Sequence, residues 1–494
     1  MRTYILALTK YGIAGIVIAY TLVAFFLLLK NQDRDVEMRR ALSSAELVLM
    51  LAFQILSYFT LFVALDNVRY ILLCLAHTVV FLGVNLLYQN MFRHAHMPLF
   101  NNMCMLISVG IIILSRLDIT RAMKQFVMVC AGFVIAFALP LFRKKFYLLK
   151  KPGYIYAVLG VGALSIVMLL GSTTLGANIT YTIFGLTFQP SEFVKILYLL
   201  FLASTLRNVQ DLRELAVITA FAAAHVLVLI GSKDLGSGLI FYMVFIFMAY
   251  MALDEWIILA GGFGALALAS VVLYHFFSHI QQRVQAFLDP WSLIDSIGYQ
   301  ITQALFAIGA GGPFGAGLGQ GQPDKIPFVE SDFIFAAVCE EFGIIIGICV
   351  VLLCVNCFMH MLSLSMTFAD RFYRLLAFGS AVVYGFQAFL TLGGQTKFIP
   401  LTGVTLPLVS YGGSSILSTL ILFTGIETMY MLRADKIEQR KRLERRRLAE
   451  SRSMYSSNRQ FRRRIPDFSD ERYAYGESHD YRRYDAVNRR RYGD

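Results

Sequence analysis

The stretch Phe333-Ile-Phe-Ala-Ala-Val-Cys-Glu-Glu-Phe-Gly-Ile-Ile-Ile-Gly-Ile-Cys-Val-Val-Leu-Leu-Cys-Val-Asn-Cys-Phe358 is apolar but for Glu340, Glu341 and Asn356. As a helix rising about 1.5 Å per residue, it is long enough to cross the ~30 Å hydrocarbon core of a bilayer. Working outward, comparable runs fall at 8–29, 45–65, 70–89, 101–115, 125–142, 154–171, 191–206, 214–231, 237–253, 256–278, 373–392 and 407–432. The 494-residue chain is 57% hydrophobic and 15% charged, against roughly 25% charged for a soluble domain. These features exclude a soluble protein and predict an all-α polytopic membrane protein with about thirteen spans.

Charge sets the orientation. Basic residues collect at Lys30 to Arg40, Arg143 to Lys151, Arg207 to Arg213, Arg371 to Arg374 and in the C-terminal tail. Alternating sides along the spans puts all five on one face, and basic residues beside spans stay cytoplasmic. The N-terminus is therefore expected outside and the C-terminus in the cytoplasm. From Arg433 onward the tail has 19 Lys and Arg against 11 Asp and Glu. It reads as a helical extension to about Glu450 followed by disorder. Such a segment suits anionic lipid, and nucleic acid is not expected as a partner. All seven cysteines lie in apolar runs as packing residues, so neither a disulfide framework nor a zinc site is expected. No small-residue cleavage site follows the first apolar run, which ends at Lys30 and reads as an uncleaved anchor.

The same topology leaves four irregular segments outside: 172–190, 232–236, 279–332 and 393–406. Ionisable groups at their borders are the candidates for chemistry, because a charge inside a bilayer costs about 2.5 to 3.5 kcal/mol on insertion scales. Glu192 and Lys195 in Gln189-Pro-Ser-Glu-Phe-Val-Lys195 stand at i,i+3 in the first turn of a span. They suit either a structural ion pair or an anion site for a lipid pyrophosphate. Asp332 opens a span, where the helix dipole favours an acid; it also suits a general base at the membrane rim. Asp234 and Arg283 add an acid and a bidentate phosphate ligand to the same face. Glu340 and Glu341 are expected to pair with basic residues. Gly315, Gly317 and Gly319 follow no strand, so they do not read as a nucleotide loop.

Taken together, these residues resemble the shape, elongation, division and sporulation (SEDS) family, the RodA/FtsW-like peptidoglycan glycosyltransferases. The matching motifs are Gln189-Pro-Ser-Glu-Phe-Val-Lys195, Asp234-Leu-Gly-Ser, Phe287-Leu-Asp-Pro, Gly298-Tyr-Gln, Gln303, Ala307-Ile-Gly-Ala-Gly-Gly, Gly317-Leu-Gly and Asp332-Phe-Ile-Phe-Ala. The longest is Pro400-Leu-Thr-Gly-Val-Thr-Leu-Pro-Leu-Val-Ser-Tyr-Gly-Gly-Ser-Ser415. They run in family order over about residues 101–432, which the resemblance implies is a ten-span core. About three extra spans precede it in residues 1–100, and 433–494 is the basic tail.

The resemblance implies an enzyme of the bacterial cytoplasmic membrane that polymerises lipid II on the outer face, in cell elongation, division or sporulation. The family's essential acid carries over to Asp332. Glu192, Lys195, Asp234, Arg283, Gln303 and Ser414 are the expected substrate-binding residues. A class B penicillin-binding transpeptidase is the implied partner; a divalent cation, Mg or Mn, is compatible, although the sequence demands no metal. Departures from the family pattern include Pro327-Phe-Val-Glu-Ser-Asp332 before the helix, Gly176-Ala-Asn-Ile-Thr180, Thr391 and Lys397. The competing readings are a lipid-precursor transporter or flippase and a non-catalytic scaffold for the transpeptidase.

Overall fold

A computed structural model describes residues 1–29, 36–170, 172–174, 177–183 and 186–463. Two compact units are present, Met1–Asp435 and Lys436–Asp494. Residues 30–35, Gly176 and those past Arg463 lie outside the described residues.

The chain opens with α1 (Arg2–Leu29), α2 (Val36–Leu65), α3 (Arg69–Met91), α4 (Met97–Leu117), α5 (Ile119–Leu141) and α6 (Gly153–Leu170). It continues through α7 (Pro190–Leu206), α8 (Leu212–Gly231), α9 (Leu235–Leu253), α10 (Trp256–Phe276), α11 (Ser278–Leu288) and α12 (Tyr299–Gly311). The last are α13 (Ile334–Phe342), α14 (Ile344–Met366), α15 (Arg371–Gln395) and α16 (Gly413–Arg463). Among the described residues, 12 helices are long and apolar enough to cross a membrane. The span expected at 191–206 is α7, whose 17 residues fall just short of that length. Helix α4 is buried along almost its whole length, whereas α10 buries only Gly262, as expected of a lipid-facing helix.

Four expectations change in detail. The run 333–358 is two helices broken at Gly343, whose φ is +94°. A Cβ there would stand 2.3 Å from the Gly315 nitrogen, so the glycine-rich loop occupies the space a side chain would need. Backbone groups freed by the break are taken up by that loop: Ile344 N donates to Gly312 O (2.9 Å) and Ala316 N to Glu340 O (2.8 Å). An apolar pattern alone does not reveal such a break. Next, 172–190 contains a small antiparallel sheet of β1 (Ser172–Thr174), β2 (Ala177–Ile183) and β3 (Leu186–Phe188). Its Ile-Thr-Tyr-Thr-Ile run is rich in strand formers. Third, α16 starts at Gly413 and not at 407, because Pro407 and the turn after it precede the helix. Finally, α16 runs to Arg463 and not to Glu450, with no Gly or Pro between Gly425 and Pro466 to stop it.

The first three helices are joined to the rest by buried polar contacts. Tyr20 Oη donates to Asn102 Oδ1 (3.1 Å), Asn102 Nδ2 to Asn356 Oδ1 (2.7 Å) and Asn356 Nδ2 to Ala24 O (3.1 Å). Gln54 Nε2 donates to Ser108 Oγ (2.8 Å). Within a membrane such bonds contribute about 0.6 to 2 kcal/mol each. Arg116 fixes the glycine-rich loop from the far end of α4: it pairs with Glu341 at 3.0 Å and donates to Gly321 O at 2.9 Å.

Replacing Gly343 with Ala is expected to destabilise the detergent-solubilised protein by about 2 kcal/mol, the scale of a strained backbone conformer. The test is thermal unfolding beside Gly309→Ala, whose added Cβ meets nothing within 4 Å and is expected to leave the midpoint unchanged.

Candidate active site

Between α15 and α16 the chain is irregular, since Pro400 and Pro407 cannot donate to a ladder or helix and Gly403 sits at φ +73°. This segment clamps the residues before α13. Tyr411 N donates to Glu330 O (2.8 Å), and Ser410 Oγ donates to Ser331 O (2.6 Å) while accepting from Leu406 N (3.0 Å). On its other side, Gln125 Nε2 donates to Ser410 O (3.1 Å) and Gly412 N to Gln125 Oε1 (3.2 Å).

The clamp leaves Asp332 on the wall of a cavity of about 460 Å³, whose lining also includes Arg283, His279, Lys397, Gln300 and Tyr299. Arg283 of α11 donates through Nη1 to Thr402 O at 2.9 Å. Asp332 and Arg283 flank Gly403: a Cβ there would stand 3.4 Å from Arg283 Nη2 and 4.0 Å from Asp332 Oδ2. Burial raises the Asp332 carboxyl above its usual range; the Ser331 hydroxyl and the Arg283 charge pull it back, and Glu330 pushes it up again. Burial likewise lowers Arg283, against the pull of Asp332 and Asp234. Glu330 itself is turned to Arg121. His279 Nε2 is buried and has no hydrogen-bond partner among the described residues. Its basicity is lowered by burial and by the neighbouring charges of Arg283 and Lys233.

The other expected residues form a layer behind this wall. Glu192 and Lys195 pair at 2.8 Å with side chains only 5% and 4% exposed. Lys195 Nζ donates to Gln387 Oε1 (2.8 Å), whose Nε2 donates to Thr405 O (3.0 Å). Ser418 Oγ donates to Glu192 Oε2 (2.7 Å). Asp234 caps α9, accepting from Ser237 N (3.1 Å) and, through its other oxygen, from Gln189 Nε2 (3.3 Å). Burial raises its carboxyl. Ser414 Oγ accepts from Gln189 N (3.0 Å). Gln303 is not on the cavity wall, whereas Gln300, one turn earlier on α12, is. The structure thus brings Asp332 and Arg283 to one cavity wall and sets Glu192, Lys195, Asp234 and Ser414 apart from it. Lys397, His279 and Gln300 were missed as site residues; the available signal was a lysine in a glycine-rich turn, held at φ +56°.

Among the described residues there is no group of three or more His, Cys, Asp or Glu side chains able to hold a metal ion.

Fold and site define a multi-pass membrane protein with a cavity at one end of its helical bundle, walled by a carboxylate and an arginine. The profile of the FtsW/RodA/SpoVE family, described as cell cycle proteins, matches residues 88–433, and the chain belongs to that family. The peptidoglycan glycosyltransferase RodA of Mycobacterium tuberculosis (strain H37Rv) is 36% identical over 346 residues, spanning 64% of this chain and 73% of the relative. Its counterpart in Mycobacterium leprae is 34% identical over 380 residues, spanning 69% and 81%. A solved structure described as the structural coordination of polymerization and crosslinking by a peptidoglycan synthase complex matches with a TM-score of 0.61 and 25% identity, covering 68% of this chain and 97% of that one. RodA of Thermus thermophilus shares the fold, with a TM-score of 0.53, 24% identity and coverage of 68% and 96%.

Breaking the buried Glu192–Lys195 pair by Lys195→Met is expected to cost about 3 to 5 kcal/mol, since it strands a carboxylate in a dry site. Thermal unfolding checks this, with E192L/K195M regaining most of the loss.

Proposed function

We propose that the chain is a peptidoglycan glycosyltransferase that polymerises lipid II, with Asp332 as its general base. Relatives 36% and 34% identical are named peptidoglycan glycosyltransferases, which supports the reaction class. The observation that carries the residue assignment is the placement of Asp332 and Arg283 beside Gly403, both lining one cavity.

Ionised Asp332 takes the proton from the 4-hydroxyl of the acceptor sugar as that oxygen attacks the anomeric carbon of the lipid-linked donor. The new carbon–oxygen bond forms while the bond to pyrophosphate breaks, and its electron pair leaves with undecaprenyl pyrophosphate. Arg283 and Lys397 face the charge that develops on the leaving group. The arginine fork suits two phosphate oxygens at once. General-base help of this kind is worth about 10²- to 10⁴-fold. Glu192, Lys195, Asp234 and Ser414 act as positioning residues, through their bonds to the 400–415 segment and to Gln189. Gln303 acts through α12, which presents Gln300 and Tyr299 to the substrate.

The cavity end faces outward, with the N-terminus outside and the C-terminus in the cytoplasm. Supporting this, basic residues gather at the opposite end, where Arg143 pairs with Asp435 at 2.7 Å and Lys150 with Asp370. A class B penicillin-binding transpeptidase is the proposed partner, and anionic lipid the proposed contact of the tail. The residues invoked here cluster at one end of the bundle, unlike the midplane sites of transporters.

Purified protein and partner, given lipid II and read on a glycan-resolving gel, test the assignment. Asp332→Asn is expected to lower polymerisation by about 10²- to 10⁴-fold in a folded protein. Equal activity would remove the assignment, and no glycan from the native complex would favour a scaffold. The pH profile gives a second reading. A base must be ionised, and the Asp332 carboxyl is raised, so activity falls on the acid side above the ordinary carboxylate range. Arg283→Gln removes a charge that lowers that carboxyl, so this acid limb is expected to move to higher pH.

A further inference from the structure

We infer that the opposite end of the bundle holds a second site, one that binds a phosphate-bearing anion. A cavity of about 580 Å³ lies there, lined by Arg39, Arg40, Ser43 and Ser44 at the start of α2 and by Arg93 and His94 between α3 and α4. Tyr430 and Ala434 of α16 close its other side, and among the described residues no Asp or Glu lines it. His96 starts α4 at this cavity while Arg116 stands near its far end, and the helix is 21 residues long. The two sites are therefore about 30 Å apart along the bundle.

Arg39 is half-buried and held in place. Its Nη1 donates to Leu27 O at 2.9 Å, and its Nη2 meets His96 Nε2 at 3.4 Å. Arg40 and Arg93 are exposed, and among the described residues neither forms an ion pair with a carboxylate. Two buried carboxylates of the same region each accept one bond inside the bundle, Glu427 from His96 N (2.8 Å) and Glu46 from Asn101 Nδ2 (2.9 Å), and Glu46 also feels the charge of Arg39. Two exposed guanidinium groups, those of Arg40 and Arg93, thus share one recess with the Ser43 and Ser44 side chains, an arrangement that attracts an anion. A low-dielectric recess focuses such a field, and planar forks select phosphate or carboxylate geometry. Arg39, Arg40, Ser43 and Ser44 precede the region that matches the family, which begins at residue 88. The site is built jointly by the appended helices and the core, so an anion bound there ties α2 to α4 and α16.

A lipid headgroup and a soluble phosphate share this chemistry, and the experiment separates them. The full chain is placed in nanodiscs of phosphatidylcholine, with or without phosphatidylglycerol. Native mass spectrometry reads the lipid retained; thermal shift with inorganic pyrophosphate in the neutral discs reads the soluble ligand. Native protein is expected to bind at least one probe, and R40Q/R93Q to bind it about thirtyfold more weakly, at roughly 1 kcal/mol per basic residue. R93Q alone is expected to lose about fivefold by the same scale, and serves if the pair misfolds. The control K144Q/K145Q, exposed residues elsewhere on the basic end, is expected to bind like the native protein. A response to phosphatidylglycerol alone assigns a lipid headgroup, and one to pyrophosphate alone a soluble phosphate. Because pyrophosphate also suits the active site, only the part lost in R40Q/R93Q counts. Equal binding by native and R40Q/R93Q, or an equal loss in the control, overturns the proposal.

Discussion

Two hydrogen bonds, from Tyr411 N to Glu330 O and from Ser410 Oγ to Ser331 O, hold the site together. They join two irregular stretches, one before α13 and one before α16, at the end of a helical bundle. Irregular backbone at membrane depth is tolerated only where its polar groups find partners inside the protein. That constraint accounts for the density of polar side chains around 400–415. Gln125 supports Ser410 and Gly412, Thr391 donates to Val404 O (3.1 Å), Gln387 reaches Thr405 and Arg283 reaches Thr402. The buried Glu192–Lys195 pair feeds the same segment through Gln387. A charge pair so deep is weak evidence for stability by itself. Its value lies in fixing the segment that places Asp332.

Much of the fold was legible because a bilayer imposes a length and an apolar composition on each crossing element. The same reasoning placed Asp332 and Arg283 at one surface, since charges are confined to span ends. It was blind where an apolar run is interrupted by backbone geometry alone. Gly343 breaks 333–358 because the loop around Gly315 fills the space of a side chain, and nothing in hydropathy reports that contact. It also left open whether Glu192 and Lys195 face substrate or each other, because i,i+3 spacing permits both. Lys397 was visible as a charge in an unusual place, but its position on the cavity wall depends on how the 393–403 turn folds back towards α11 and α13.

The molecule separates chemistry by end. One end carries a carboxylate beside a guanidinium, with burial and charge shifting both groups. The other carries most of the basic residues, some paired as Arg143 is with Asp435, others gathered in a recess of their own. Helices α1 to α3 are fastened to the core by bonds from Asn356 to Ala24, from Gln54 to Ser108 and from Asn85 to Asn101. Among the described residues, these helices supply part of the second recess and none of the first cavity's wall.

In the function proposed above, the sugar-pyrophosphate headgroup enters the cavity lined by Asp332 and Arg283 and does not reach the Glu192–Lys195 pair. Photocrosslinking the purified protein with a lipid II analogue bearing a diazirine on its headgroup, followed by peptide mapping, tests this directly. Adducts within 278–303 and 394–403 are the result this account predicts. Adducts confined to 189–195 and 413–418 would contradict it.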